Sequence, residues 1–238
     1  MRETTLGELR VRIAGGTDRE GGGDGPVVVL MHGFGAPGED LVGLWRVLDL
    51  PREVRFVFPE APMELPGGLY GAARAWWMID LQALERARAE GRVRDRRREH
   101  PEGLEPARRS VIAMLDALER ELGVESKDVV LGGFSQGSML ALDVALHDAR
   151  PLAGLVLLSC TLLAEDDWVP RMASRRGLPV LQTHGEQDEL LAFELAEQLR
   201  DRMREAGMDV TWVPFRGGHG IPGPALDALQ TFLARTCG

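Results

Sequence analysis

Six short apolar runs punctuate the chain: Pro26–His32, Val54–Phe58, Val129–Gly132, Leu155–Ser159, Val180–Thr183 and Val210–Phe215. They are aliphatic or β-branched, mostly bounded by Gly, Pro or Asp, and they do not alternate with polar residues. Continuous apolar runs of this length mark strands covered on both faces, as in a parallel sheet. Between them the apolar spacing changes to three or four. Leu104, Ala107, Val111, Leu115, Leu118 and Leu122 form one stripe, stopped by Gly123. This predicts a helix, and further helices are expected over Asp40–Leu50, Met139–His147, Leu190–Ala206 and Leu226–Leu233. Strands alternating with helices predict a doubly wound α/β fold: a mostly parallel central sheet with helices on both faces.

Two stretches break the rhythm. Residues 15–25, GGTDREGGGDG, read as a turn-rich connection. The segment from Asp80 to about residue 103 is densely charged, with seven Arg in residues 86–98 against Glu90 and Asp95. Charge runs usually form a solvated surface excursion. The alternative is a cap over a pocket that helps attract an anionic substrate. No internal repeat or interdomain linker is visible, so residues 1–238 are expected to form one domain.

Composition narrows the function. With 44% hydrophobic and 27% charged residues the chain is an ordinary globular sequence. Its net charge of −9 argues against a nucleic-acid partner, whose electrostatic footprint is basic. Cys160 and Cys237 lack metal-ligand spacing and cannot build a disulfide framework, which fits a reducing cytoplasm. The first residues contain no apolar signal region, and no apolar run approaches the ~20 residues of a membrane span. No stable membrane anchor is therefore expected. There is no P-loop, H-E-x-x-H or C-x-x-C, so neither metal nor cofactor is expected.

The chemistry points to acyl transfer. Gly133-Phe134-Ser135-Gln136-Gly137 fits G-x-S-x-G and lies between a strand pattern and a helix pattern. In that setting a sharp turn exposes a serine hydroxyl, and small residues are needed because the turn packs closely on its neighbours. The plainer alternative is a Gly-rich turn whose serine only caps the helix. A serine nucleophile needs a base, and the base needs an orienting carboxylate, in the chain order Ser, acid, His. His219 lies in the glycine-flanked loop GGHGIP just after the last strand pattern, which makes it the base candidate. His184 lies in the earlier turn HGEQD. Asp188 closes that turn and is the acid candidate; Glu186 and Glu189 are positional rivals, Asp166 and Asp167 weaker ones. Backbone N–H groups of Gln136 and Phe34, with Gly35 next in order, are candidates to hold a developing oxyanion. A competing reading exists. Gly33-x-Gly35-x-x-Gly38 fits a dinucleotide loop with Glu60 as its ribose acid, but it leaves the serine turn, HGEQD and GGHGIP unexplained.

HGFG, GGFSQGSMLAL, THGEQDELL and GGHGIP together resemble the phospholipase/carboxylesterase family of α/β-hydrolases, which includes bacterial carboxylesterases and acyl-protein thioesterases. The resemblance runs from about Val27 to Leu233. It implies a serine esterase acting on a small-molecule ester, with Ser135 as nucleophile, Asp188 as acid, His219 as base, and Phe34 and Gln136 as oxyanion donors. Arg74-Ala75-Trp76-Trp77 resembles an aromatic motif of the family and implies Trp77 as a pocket residue, although a large Trp is more often a core side chain. Members are often dimers, which leaves a homodimer open. A non-catalytic small-molecule-binding protein on the same scaffold is the other class to weigh, since fold does not dictate function.

Overall fold

The computed structural model describes residues 1–66, 73–80, 82–83, 86, 89–90 and 95–238. The strands among these residues are β1 (Arg2–Leu6), β2 (Leu9–Gly15), β3 (Val27–Met31), β4 (Arg55–Pro59), β5 (Met63–Glu64), β6 (Arg74–Ala75), β7 (Val129–Phe134), β8 (Gly154–Leu158), β9 (Pro179–Gly185) and β10 (Asp209–Phe215). The described α-helices are α1 (Leu44–Val47), α2 (Leu104–Leu122), α3 (Gln136–His147), α4 (Glu165–Met172), α5 (Phe193–Glu205) and α6 (Gly223–Thr236).

Eight strands form one sheet in the order β1-β2-β4-β3-β7-β8-β9-β10. From β4 to β10 every pairing is parallel, while β1–β2 and β2–β4 are antiparallel. All residues of β3, β4 and β8 are buried, as expected of strands covered on both faces. One face packs on α2, α3 and α4 through Val111, Leu115, Met139 and Trp168; the other packs on α6 through Leu229, Phe232 and Leu233.

The predicted helix Leu104–Leu122 occurs with those bounds and ends at Gly123, whose φ of 60° is the left-handed turn that glycine adopts without penalty. The predicted helix Asp40–Leu50 shrinks to α1, preceded by successive three-residue turns. Gly43 and β-branched Val42 both weaken helix propagation there. The helix expected from Leu190 begins only at Phe193, because Asp188 holds Leu190 and Leu191 in a loop. The pattern of apolar positions predicts no element at β1, β2, β5, β6 or α4.

The 80–103 stretch falls partly outside the described residues. Residues 95–103 of its described part dock on the body: Glu165 donates to the Arg97 carbonyl at 2.8 Å and Ala164 to that of Glu99 at 3.2 Å.

Candidate active site

The turn between β7 and α3 is strained. Ser135 has φ 54° and ψ −117°, a conformation that costs a non-glycine residue about 1–3 kcal/mol and is kept only where the surroundings impose it. The surroundings are tight. A Cβ on Gly137 would stand 2.1 Å from the Met31 carbonyl oxygen, and one on Gly133 would stand 2.5 Å from the same atom. Both glycines are therefore required for α3 to start directly above β3, with Ser135 raised at the C-terminal end of the sheet.

His219 and Asp188 arrive from the loops after β10 and β9, whose parallel pairing sets the two loops side by side. His219 Nδ1 lies 2.7 Å from Asp188 Oδ2. The other carboxylate oxygen accepts the backbone N–H groups of Leu190 at 2.9 Å and Leu191 at 3.0 Å. Burial alone raises the Asp188 carboxyl, but the His219 hydrogen bond and charge and these two N–H donors outweigh it and hold it below the ordinary carboxylate value. An ionised Asp188 fixes the proton on His219 Nδ1 and leaves Nε2 to act as base. The imidazole packs on Phe134, with ring centroids 4.8 Å apart.

Ser135 and His219 line one cleft of ≈ 170 Å³, together with Phe34, and no hydrogen bond joins Ser135 Oγ to the ring in this structure. Its apolar wall is Ile79, Phe134, Met139, Leu190 and Leu191; Arg96 and Asp40 are its charged members. A larger cleft, ≈ 410 Å³, lies beside Gly15 and Val54 at the opposite ends of the strands and holds no nucleophile.

The loop after β3 brings backbone N–H groups to the elbow. Gly33 touches it closely, since a Cβ there would stand 3.3 Å from Ser135 Cβ. Gly35 donates its N–H to the Arg74 carbonyl at 2.8 Å, which removes Gly35 as an oxyanion donor. Among the described residues the N–H groups of Phe34 and Gln136 have no protein partner.

The Gln136 side chain has a role that the motif alone does not reveal. It is wholly buried; Oε1 accepts the Trp76 N–H at 2.9 Å and Nε2 donates to the Trp77 carbonyl at 2.8 Å. Trp76 Nε1 in turn donates to the His32 carbonyl at 3.0 Å. His32 Nε2 accepts the Ala61 N–H at 3.1 Å, so Nδ1 carries the proton and donates to the Gly33 carbonyl at 2.8 Å. Burial pushes His32 below the ordinary histidine value and keeps it neutral. His184, also lowered by burial, places Nε2 3.0 Å from the Leu191 carbonyl and 3.4 Å from Asp188 Oδ2.

One sequence expectation and one competing reading are corrected. Trp77 does not line the cleft; it is a fully buried core side chain against Gly103, and only its carbonyl communicates with the elbow, through Gln136. Glu60 is no ribose acid. It is 7% exposed and held by Arg12 at 3.0 Å and Arg74 at 3.1 Å. Its carboxylate also crowds Gly38, where a Cβ would stand 2.5 Å from Oε2, so no dinucleotide loop is formed. The rival acids Asp166 and Asp167 pair with His100 and His147. Asp143, His147 and Asp167 lie close enough to share a metal ion. Their polar atoms are engaged by one another and by Arg108, Trp168 and Arg171, which makes a closed ion-pair network.

A serine on a strained strand–helix turn, facing a His–Asp pair at the C-terminal edge of a mostly parallel sheet, defines an α/β-hydrolase. The phospholipase/carboxylesterase family model matches residues 20–237, and the chain belongs to that family. It is 30% identical over 213 residues to acyl-protein thioesterase 1 of Neurospora crassa, covering 87% of this chain and 84% of that protein. It is 28% identical over 215 residues to acyl-protein thioesterase 1 of Gibberella zeae, covering 87% and 89%. Among solved structures it resembles esterase PE8, with a TM-score of 0.80 and 29% identity over 96% of this chain and 99% of that one. A carboxylesterase of Bacillus cereus, at 18% identity and TM-score 0.67 over 96% and 94%, shares the fold. The chain is a carboxylic ester hydrolase.

Proposed function

We propose that the chain hydrolyses small carboxylic esters through an acyl-enzyme on Ser135, in the cytoplasm. The observation that carries this reading is the 2.7 Å His219–Asp188 hydrogen bond in the cleft that the strained Ser135 also lines. Ser135 Oγ attacks the acyl carbonyl as His219 Nε2 takes its proton, and Asp188 stabilises the imidazolium. The carbonyl oxygen gains charge against the N–H groups of Phe34 and Gln136. His219 then protonates the leaving alkoxide, and water, deprotonated by the same imidazole, cleaves the acyl-enzyme. A thiolate leaves without needing that proton, so thioesters fit the same site, in keeping with the thioesterase names of the relatives.

The test is a p-nitrophenyl ester series from acetate to decanoate, on wild type and Ser135→Ala, with fluorophosphonate labelling alongside. Turnover and labelling that both vanish in the variant support the assignment. Full turnover by the variant overturns it.

A further inference from the structure

Arg96 is an unusual member of the cleft wall. The other non-catalytic lining side chains are apolar, apart from Asp40 at the exposed rim. Arg96 is 7% exposed, and its one ion-pair partner among the described residues is Glu99, whose Oε2 accepts the Nε–H at 2.9 Å. Guanidinium has five N–H donors in a planar fork. The Glu99 contact engages Nε, and neither terminal nitrogen has a partner among the described residues.

The side chain is also held in place. The backbone of residues 97 and 99 is pinned to the start of α4 by the Glu165 and Ala164 N–H bonds, and Arg97 Nη1 reaches Gln198 on α5 at 3.0 Å. The neighbouring arginine Arg97 differs sharply: it faces solvent and is committed to Asp95 at 2.7 Å. One arginine of the charged stretch is thus turned into the cleft while the next stays outside it.

We infer that Arg96 is a specificity-determining residue that receives a carboxylate on the substrate, so that the preferred esters carry an anionic group in their acid or alcohol half. This rests on the esterase reading of the same cleft. A wholly apolar substrate that fills the cleft strips water from the free guanidinium edges and returns nothing, which is costly for a buried charged donor. A carboxylate meets the planar fork with charge-assisted hydrogen bonds. Glu99 already neutralises part of the local charge, which favours a single carboxylate over a dianionic phosphate. Asp40, and Glu189 on the adjoining groove, oppose an anion, but both are exposed and therefore screened by water and salt far more than Arg96 is.

The experiment compares matched esters by kcat/KM at pH 7.5. Monomethyl adipate against methyl hexanoate places the carboxylate in the acid half. 3-(Butyryloxy)propanoate against propyl butyrate places it in the alcohol half. In wild type at least one anionic ester exceeds its neutral partner, and the ratio falls about thirtyfold in Arg96→Gln, the loss expected on removing one member of a buried charge pair. Arg96→Lys keeps part of the ratio, and Arg98→Gln, which removes an equal charge from an exposed position outside the cleft, leaves it unchanged. A ratio at or below one for both wild-type pairs overturns the inference, whether or not the variants fold. So does an equal loss on both members of each pair in Arg96→Gln, which is the signature of a purely structural arginine. In either case neutral-ester turnover that depends on Ser135 leaves the esterase reading standing. Absence of any Ser135-dependent turnover overturns both.

Discussion

Replacing Gln136 by Met separates two functions carried by one residue. The backbone N–H at 136, a proposed oxyanion donor, is untouched by the change. The side-chain amide is lost, and with it the acceptor for Trp76 N–H and the donor to Trp77 C=O. Met has nearly the volume of Gln, so no large cavity opens. Two buried backbone groups are left unpaired, at about 1–3 kcal/mol each, partly offset by relieving the buried amide of its own desolvation. The net loss expected is about 3 kcal/mol, and in a chain of this length each kcal/mol moves Tm by about 2–4 °C, so the shift is about 6–12 °C.

The same change reaches the chemistry by a traceable route. Trp76 follows β6, where Arg74 holds the proposed oxyanion loop by accepting the Gly35 N–H and donating to the Ala36 carbonyl at 3.1 Å. With its anchor gone, this strand sets Phe34 less accurately, and a misplaced oxyanion donor is felt in kcat more than in KM. We expect kcat for a p-nitrophenyl ester to fall about tenfold, toward the 10²–10³-fold loss of a deleted donor without reaching it. Urea unfolding and steady-state kinetics on the same preparation decide the matter. A midpoint equal to wild type refutes the account of the amide as a buried tie. A lowered midpoint with unchanged kcat refutes the link from Gln136 to the oxyanion loop.

Other consequences are as direct. Ser135→Gly abolishes turnover while raising stability by about 1 kcal/mol, because glycine adopts φ 54° freely; a destabilised variant in urea contradicts the strain assigned to the elbow. Asp188→Asn keeps an oxygen for the Leu190 and Leu191 N–H groups but can no longer fix the His219 tautomer, and kcat drops by about 10³–10⁴-fold; a loss under tenfold removes Asp188 from the triad. His32 and His184 are lowered by burial from 6.5, so the unfolded chain binds protons that the folded chain refuses; stability is whole above about pH 6.5 and declines on acidification by up to about 1.4 kcal/mol per pH unit for each histidine. Equal urea midpoints at pH 7.5 and 5.5 contradict this. Burial pushes the Cys160 thiol up to about 12, and iodoacetamide at pH 8 should leave it unmodified in the native protein; rapid native alkylation shows that the site opens.

What the sequence discloses follows the range of the interactions involved. β3, β4, β7, β8 and β9 are legible because two-sided burial leaves few polar residues in a strand; β10, an edge strand with only Val210 and Phe215 buried, is legible from its β-branched and aromatic residues. β1 is not, since RETTL is a charged edge strand with only Leu6 buried, and its place comes from its antiparallel register with β2. The serine elbow is legible because the glycines that allow the turn and the serine it raises are neighbours in the chain. Asp188 and His219 lie 31 residues apart, and they can be paired in advance only because a parallel sheet sets successive loops side by side. Position in HGFG ranks Phe34 ahead of Gly35 as the proposed oxyanion donor but gives no physical reason for the choice. That choice is made by Arg74, whose carbonyl occupies one of the two N–H groups.

Arg96 and Gln136 mark the limit from opposite sides. Gln136 sits within a motif so recognisable that its side chain passes as incidental, yet that amide joins the elbow to the segment bracing the oxyanion loop. Arg96 sits in a run of like charges where composition offers no way to tell a pocket residue from a solvated one. Only the approach of Glu99, and of the start of α4 to the backbone on either side of Arg98, distinguishes it from Arg97. Motifs specify chemistry because bond-making atoms must be held within a few ångströms by rigid local turns. Selectivity can instead be supplied by any side chain that the fold brings to the cleft. In this protein the residues proposed to carry the reaction could therefore be named from the sequence, while the residue proposed to select the substrate became visible only in three dimensions.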